Sequence, residues 1–230
     1  MLRLILLPLA IAIISSYLMT RVSLARTRAS LSQRSKPLHH PALARLSAQM
    51  AQAMDVEAIE VFELDDPQVN GFADADGRVF LTRGFLQKFA LGAVSPEELA
   101  SVIAHELGHV AHGHINQRLR DVTGQQAAVT LAGLLLSRFL PFVGPWLVAR
   151  LSGAFMAHLS RKNEFEADRY ASALLLKAGI GTGPQKTLFR KLERLTGARG
   201  AEIPAWMRSH PTVADRIAAI EANERRWLGQ

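Results

Sequence analysis

The chain of 230 residues predicts an α+β fold that is predominantly helical, and three observations point there. From Gly84 onward the sequence reads as helix, with apolar residues recurring every three or four positions. Before it, three short runs at 58–64, 69–73 and 78–82 read as strands of a small β-sheet, the last two joined by a turn through Asp76 and Gly77. A hydrophobic content of 49% supplies ample core material for one domain over residues 37–230, and no internal repeat is evident.

Taken in order, the first 54 residues hold seven Lys or Arg and no acid, while residues 55–230 hold 20 of each sign. The net charge of +7 therefore belongs to the leader, and no nucleic-acid partner is expected from the high pI. Residues 4–20 are 17 without a charge, about 26 Å as helix, and Arg3 and Arg21 could snorkel to extend that reach. The reading is a single membrane anchor over 1–20 that contacts lipid. The alternative is a cleaved signal peptide with a small-residue site at Ser23, Leu24 and Ala25, which would make the protein periplasmic or secreted. The cations after the apolar stretch (Arg21, Arg26, Arg28, Arg34, Lys36) outnumber Arg3 before it, favouring retention with a cytoplasmic C-terminal domain. A basic, Ser-rich linker over 21–36 and a helix over 41–54 follow. The absence of cysteine excludes disulfides and thiolate metal sites.

Ser95, Pro96 and Glu98 form a helix start: a hydroxyl cap, proline at the first position and a capping-box glutamate. The helix is expected to run over 96–122. Within it stand His105, Glu106, Leu107, Gly108 and His109. Two histidines four apart lie one turn above each other, so their nitrogens can converge on one metal ion, with Glu106 leaning over water in the open coordination position. This pattern encodes metal-assisted hydrolysis. Leu99, Val102, Ile103 and Val110 place it among apolar neighbours, and Gly108 leaves room for a close backbone or substrate.

A catalytic zinc needs a third protein ligand. His112 and His114 fall at the wrong positions for the extended metzincin pattern. Glu164 and Asp168 share a helical stripe with Ala171 and Leu175, which should face the core, whereas Glu166 shares its stripe with Tyr170, Ala173 and Lys177 and looks solvated. Glu164 is thus the expected ligand, and Asp168 is suited to accept the free N–H of a ligating imidazole.

Residues 105–109, 160–168 and Ser209, His210 and Pro211 followed by Arg216 resemble the three signature blocks of the HtpX-like and CAAX prenyl endopeptidase family of zinc metallopeptidases. The resemblance covers roughly residues 37–226. It implies a zincin-like peptidase domain holding one Zn2+ per chain, with Glu164 as third ligand beside His105 and His109, and protein or peptide substrates. It also implies that His210 and Arg216 contact substrate or the developing oxyanion, and that Asn70, Gly71 and Phe72 stand on an active-site edge strand. The bland reading of those three residues is an ordinary hairpin.

Residues 127–157 contain two apolar runs too short to span a membrane comfortably, and they read as an apolar hairpin covering the cleft or dipping into the bilayer. The expected function is a membrane-associated zinc metalloendopeptidase with Glu106 as general base, in protein quality control. The alternatives are a hydrolase of a non-peptide bond, or a zinc-containing binding or chaperone-like module without turnover.

Overall fold

The structure, a computed structural model, describes residues 2–114, 143–195 and 211–229. Its elements in chain order are α1 (Leu2–Arg34), β1 (Ser35–Pro37), α2 (Pro41–Met54), β2 (Val61–Leu64), β3 (Gly71–Ala73), β4 (Val79–Thr82) and α3 (Arg83–Ala90). They continue with α4 (Pro96–Ala111), α5 (Val143–Lys177), α6 (Gly183–Leu195) and α7 (Val213–Leu228). The expected class, mostly helical with a small sheet, is the observed one. The chain divides into two units, residues 1–33 with 115–159, and residues 34–114 with 160–230.

The first unit corrects the expectation of an anchor. Among the described residues no helix is long and apolar enough to cross a membrane. The helix does not stop at the end of the uncharged stretch 4–20. Residues 21–34 contain neither Gly nor Pro, so α1 runs on through Arg21, Arg26 and Arg28 to Arg34 where a linker was expected. The single-pass anchor, and with it the lipid contact and the sidedness inferred from flanking charge, is not supported. Of the apolar hairpin expected at 127–157, residues 127–142 lie outside the described ones, and 143–157 belong to α5. Gly144 and Pro145 sit in the first turn of α5, where proline costs no intrahelical hydrogen bond.

In the second unit the sheet order is β1-β2-β4-β3, with β1–β2 and β3–β4 antiparallel and β2–β4 parallel. Strand β4 is buried along its whole length. Val79 and Leu81 join the core with Leu43, Leu46 and Met50 of α2 and Leu99, Ile103 and Leu107 of α4, each set recurring at helical spacing. On the other face Phe80 stacks between Phe62 and Phe72, at centroid distances of 5.5 and 5.2 Å. Helix α4 lies against β3 so closely that a Cβ on Gly71 would come 2.8 Å from Val102 Cγ1.

The start of α4 follows the expected cap. Ser95 Oγ accepts from the Glu98 N–H at 3.1 Å, and Glu98 Oε2 accepts from the Ser95 N–H at 2.9 Å. Glu98 is also buried against α6, accepting from Thr187 Oγ1 and from Lys191 Nζ, each at 2.8 Å. Burial opposes its charge, but Lys191, the Ser95 N–H and Thr187 hold its carboxyl below the usual range. The far end of α4 departs from expectation: it stops at Ala111, not near Val122. Gly113 at φ +66 takes the left-handed conformation that ends helices, and its N–H donates to the Val110 carbonyl.

Glu98→Ala, which removes the capping box and the tie to α6 together, is expected to lower stability by about 2 kcal/mol in urea unfolding. Because the folded carboxyl titrates below its ordinary value, this contribution is complete above that value and disappears as pH falls through the folded one.

Candidate metal centre

Helices α4 and α5 cross at Gly108. A Cβ at that position would lie 2.8 Å from the carbonyl oxygen of Ala167 and 2.9 Å from its Cα, so only glycine permits the approach. Ala167 sits between Glu164 and Asp168 on α5, and Gly108 sits beside His109 on α4. Backbone contact at this point therefore brings the two acids against the two imidazoles.

His105 Nε2 and His109 Nε2 are 3.2 Å apart. The Glu164 carboxylate, buried at 2% exposure, faces both: Oε2 is 3.4 Å from His105 Nε2 and Oε1 is 3.4 Å from His109 Nε2. Around an ion with bonds of 2.0–2.1 Å, tetrahedral ligand atoms lie about 3.3 to 3.4 Å from each other. The three donors have that separation, and together they form a group able to hold a metal ion. Two imidazoles and a carboxylate leave one position of a tetrahedral ion for water, as in a catalytic site and unlike a structural one.

Asp168 orients His105. Its Oδ1 lies 2.9 Å from His105 Nδ1, and because an ionised carboxylate only accepts, Nδ1 carries a proton and Nε2 is the nitrogen left to face a metal. Arg216, 6% exposed on α7, donates from Nε and Nη2 to the two Asp168 oxygens at 2.7 and 2.6 Å. The guanidinium also stacks 4.0 Å from the Phe189 ring and lies 3.7 Å from Glu164. Burial opposes the charge of Asp168, but Arg216 and His105 hold its carboxyl below the usual range. Burial likewise disfavours a charged imidazole at His105, yet the hydrogen bonds to Asp168 and Glu164 outweigh it and push the residue up to about 10. Burial pushes Glu106, next to His105, up to about 7, with the Glu164 charge adding to the effect against His105 and the Ala73 N–H.

Strand β3 is an edge of the sheet. Asn70 and Asp74 make their backbone bonds toward β4, so by alternation the backbone groups of Gly71 and Ala73 point away from it. The Gly71 N–H is met by Asn70 Oδ1 at 2.9 Å, the Ala73 N–H faces Glu106, and the Phe72 ring lies on the sheet against Phe80. His210 lies outside the described residues.

Two residues that spacing alone sets aside, His114 for its position and Glu166 for its solvated stripe, meet here. The turn at Gly113 folds His114 back onto His109, Nδ1 to Nδ1 at 3.0 Å, and His114 Nε2 is 3.0 Å from Glu166 Oε2. Burial holds His114 below the ordinary imidazole range. The legible signal was glycine flanked by histidines just past a helix end.

The sequence pattern of peptidase family M48 matches residues 37–224. The chain belongs to peptidase family M48. It is similar to a putative beta-barrel assembly-enhancing protease of Vibrio cholerae serotype O1, 30% identical over 186 residues that cover 77% of this chain and 37% of the relative. It is also similar to metalloprotease LoiP of Escherichia coli K12, 30% identical over 159 residues, 66% of this chain and 57% of that one. Human mitochondrial metalloendopeptidase OMA1 is 24% identical over 165 residues, 69% of this chain and 31% of its own length. The chain thus spans from under a third to somewhat over half the length of these curated relatives. The α+β domain is accordingly zincin-like.

Two outcomes are expected of the centre. Gly108→Ala should weaken metal binding at least about tenfold while leaving far-UV circular dichroism unchanged, because the added methyl pushes α5 and Glu164 away from the imidazoles. Metal affinity should also rise about tenfold per pH unit between pH 7 and 9, measured by chelator competition, and level off near pH 10. The sign follows from His105, which holds a proton below about 10 that the metal must displace.

Proposed function

We propose that the protein is a zinc metalloendopeptidase that cleaves peptide bonds in protein substrates. The observation that carries this reading is the triangle of His105, His109 and Glu164 with the carboxyl of Glu106 one residue away on the same helix. His105, His109 and Glu164 would hold the ion. Bound there, zinc would supply acidification of a coordinated water and polarisation of the scissile carbonyl.

Glu106 is placed to take a proton from a water as its oxygen adds to the scissile carbonyl carbon, and to hand that proton to the amine as the C–N bond breaks. Burial raises this carboxyl toward neutrality, the direction that favours both giving and taking a proton. The Ala73 N–H aims that carboxyl from the side of the sheet, and an extended peptide adds to β3 through the outward carbonyls of Gly71 and Ala73, with Asn70 and Phe72 flanking it. Asp168 fixes the His105 tautomer, and Arg216 contributes through its two bonds to Asp168 together with its positive charge beside Glu164. His210 is assigned the substrate contact that the resemblance of the third block implies.

Within the M48 family, the three sequence blocks support a place beside the HtpX-like members. The name of one bacterial relative, a putative beta-barrel assembly-enhancing protease, supports a role in protein quality control.

Glu106→Gln should keep its zinc and lower cleavage of casein at least about 100-fold, whereas His105→Ala should lose zinc and activity together. Metal analysis of the purified full chain, with cleavage measured before and after a chelator, checks both. Undiminished cleavage by a zinc-loaded Glu106→Gln protein, or activity on ester panels without any on protein, would contradict the assignment.

A further inference from the structure

We propose that His114 and Glu166 are a positioning pair for the metal ligand His109, an imidazole and a carboxylate in series that do for His109 what Asp168 does for His105. The inference rests on the zinc-centre reading above and concerns residues to which that reading gives no part.

The donor and acceptor inventory determines the roles. Glu166 Oε2, 3.0 Å from His114 Nε2, belongs to a carboxylate that can only accept, so His114 Nε2 carries the proton. The other nitrogen of a neutral imidazole is then an acceptor, and it faces His109 Nδ1 at 3.0 Å. His109 Nδ1 must therefore donate, which leaves its Nε2 lone pair directed at His105 Nε2 and Glu164. Each hydrogen bond in the series removes one alternative, until only the metal-binding tautomer of His109 remains.

The fold holds the pair in place from both helices. Gly113 at φ +66 returns the chain so that His114, 6% exposed, reaches the imidazole one turn back. His112 stacks on the His114 ring at 5.3 Å and meets Tyr170 edge-on, so the ring plane is set from its outer side. Glu166 stands two residues beyond Glu164, and Lys162 Nζ lies 3.6 Å from its Oε1. Its side chain is 39% exposed, which makes it a position where truncation leaves the core intact.

The experiment uses the full chain as wild type, Glu166→Ala, Glu166→Gln, His114→Ala and the double variant Glu166→Ala with His114→Ala. Zinc affinity is read by chelator competition, the metal-free protein by its thermal midpoint, and the cobalt-substituted protein by its visible absorption. Glu166→Ala and His114→Ala should each weaken zinc about 10- to 100-fold and shift the cobalt bands, with the metal-free midpoint of Glu166→Ala unchanged. The double variant should be no weaker than His114→Ala, because both residues act through His109. Glu166→Gln should recover part of the loss, since its amide oxygen still accepts from His114. If His114→Ala does not fold, the Glu166 variants carry the test alone. Wild-type zinc affinity in Glu166→Ala, or losses that add in the double variant, overturns the pairing. Should wild type bind zinc through His105, His109 and Glu164 while Glu166→Ala is indifferent, only this inference fails. A wild-type chain that binds no zinc overturns the centre itself.

Discussion

The close crossing of α4 and α5 at Gly108 and Ala167 is the constraint on which the rest depends. Helices usually pack with axes 8–10 Å apart because side chains intervene. Here a missing Cβ lets backbone approach backbone, and the residues on either side of the contact are the ones to which we assign the chemistry. Glu164 and Asp168 flank Ala167 by three and one positions, and His105 and His109 flank Gly108 likewise. An approach looser by the width of a methyl group would break both separations between Glu164 and the imidazoles.

The second feature is a concentration of buried charge that only makes sense collectively. Glu164, Asp168 and Arg216 are each under 10% exposed, and burying an ion without a partner costs several kcal/mol. Arg216 meets Asp168 through two charge-assisted bonds and lies close to Glu164, and without a metal the second buried carboxylate is balanced by the proton that His105 holds up to about 10. A divalent cation held by the imidazoles and Glu164 would take the place of that proton. The same network fixes geometry, since every outward nitrogen of the two imidazoles is met by a group from beyond the triangle: Asp168 for His105 and His114 for His109.

Much of this was legible because it is local. Periodicity gave α2 its full extent, the cap at Ser95 placed the start of α4, and the stripe through Glu164, Asp168, Ala171 and Leu175 distinguished the buried acids from Glu166. What escaped depends on contacts between distant segments. Strand β1 is three residues long and exists only by pairing with β2, and the parallel partnership of β2 and β4 leaves no trace in either run. Glu166 looked solvated because its helix stripe says so, and its tie to His114 arises only once Gly113 reverses the chain. The partner of Arg216 lies 48 residues away, beyond any pattern of spacing. The leader failed differently: its apolar length was read from the absence of charge, without weighing that the helix continues through several arginines.

X-ray absorption at the zinc edge of the metal-loaded full chain addresses the central claim most directly. The account predicts four light scatterers at about 2.0 to 2.1 Å, with the outer-shell pattern of two imidazoles that falls to one in His109→Ala. A shell of oxygens alone, or an unchanged two-imidazole pattern in His109→Ala, would contradict it.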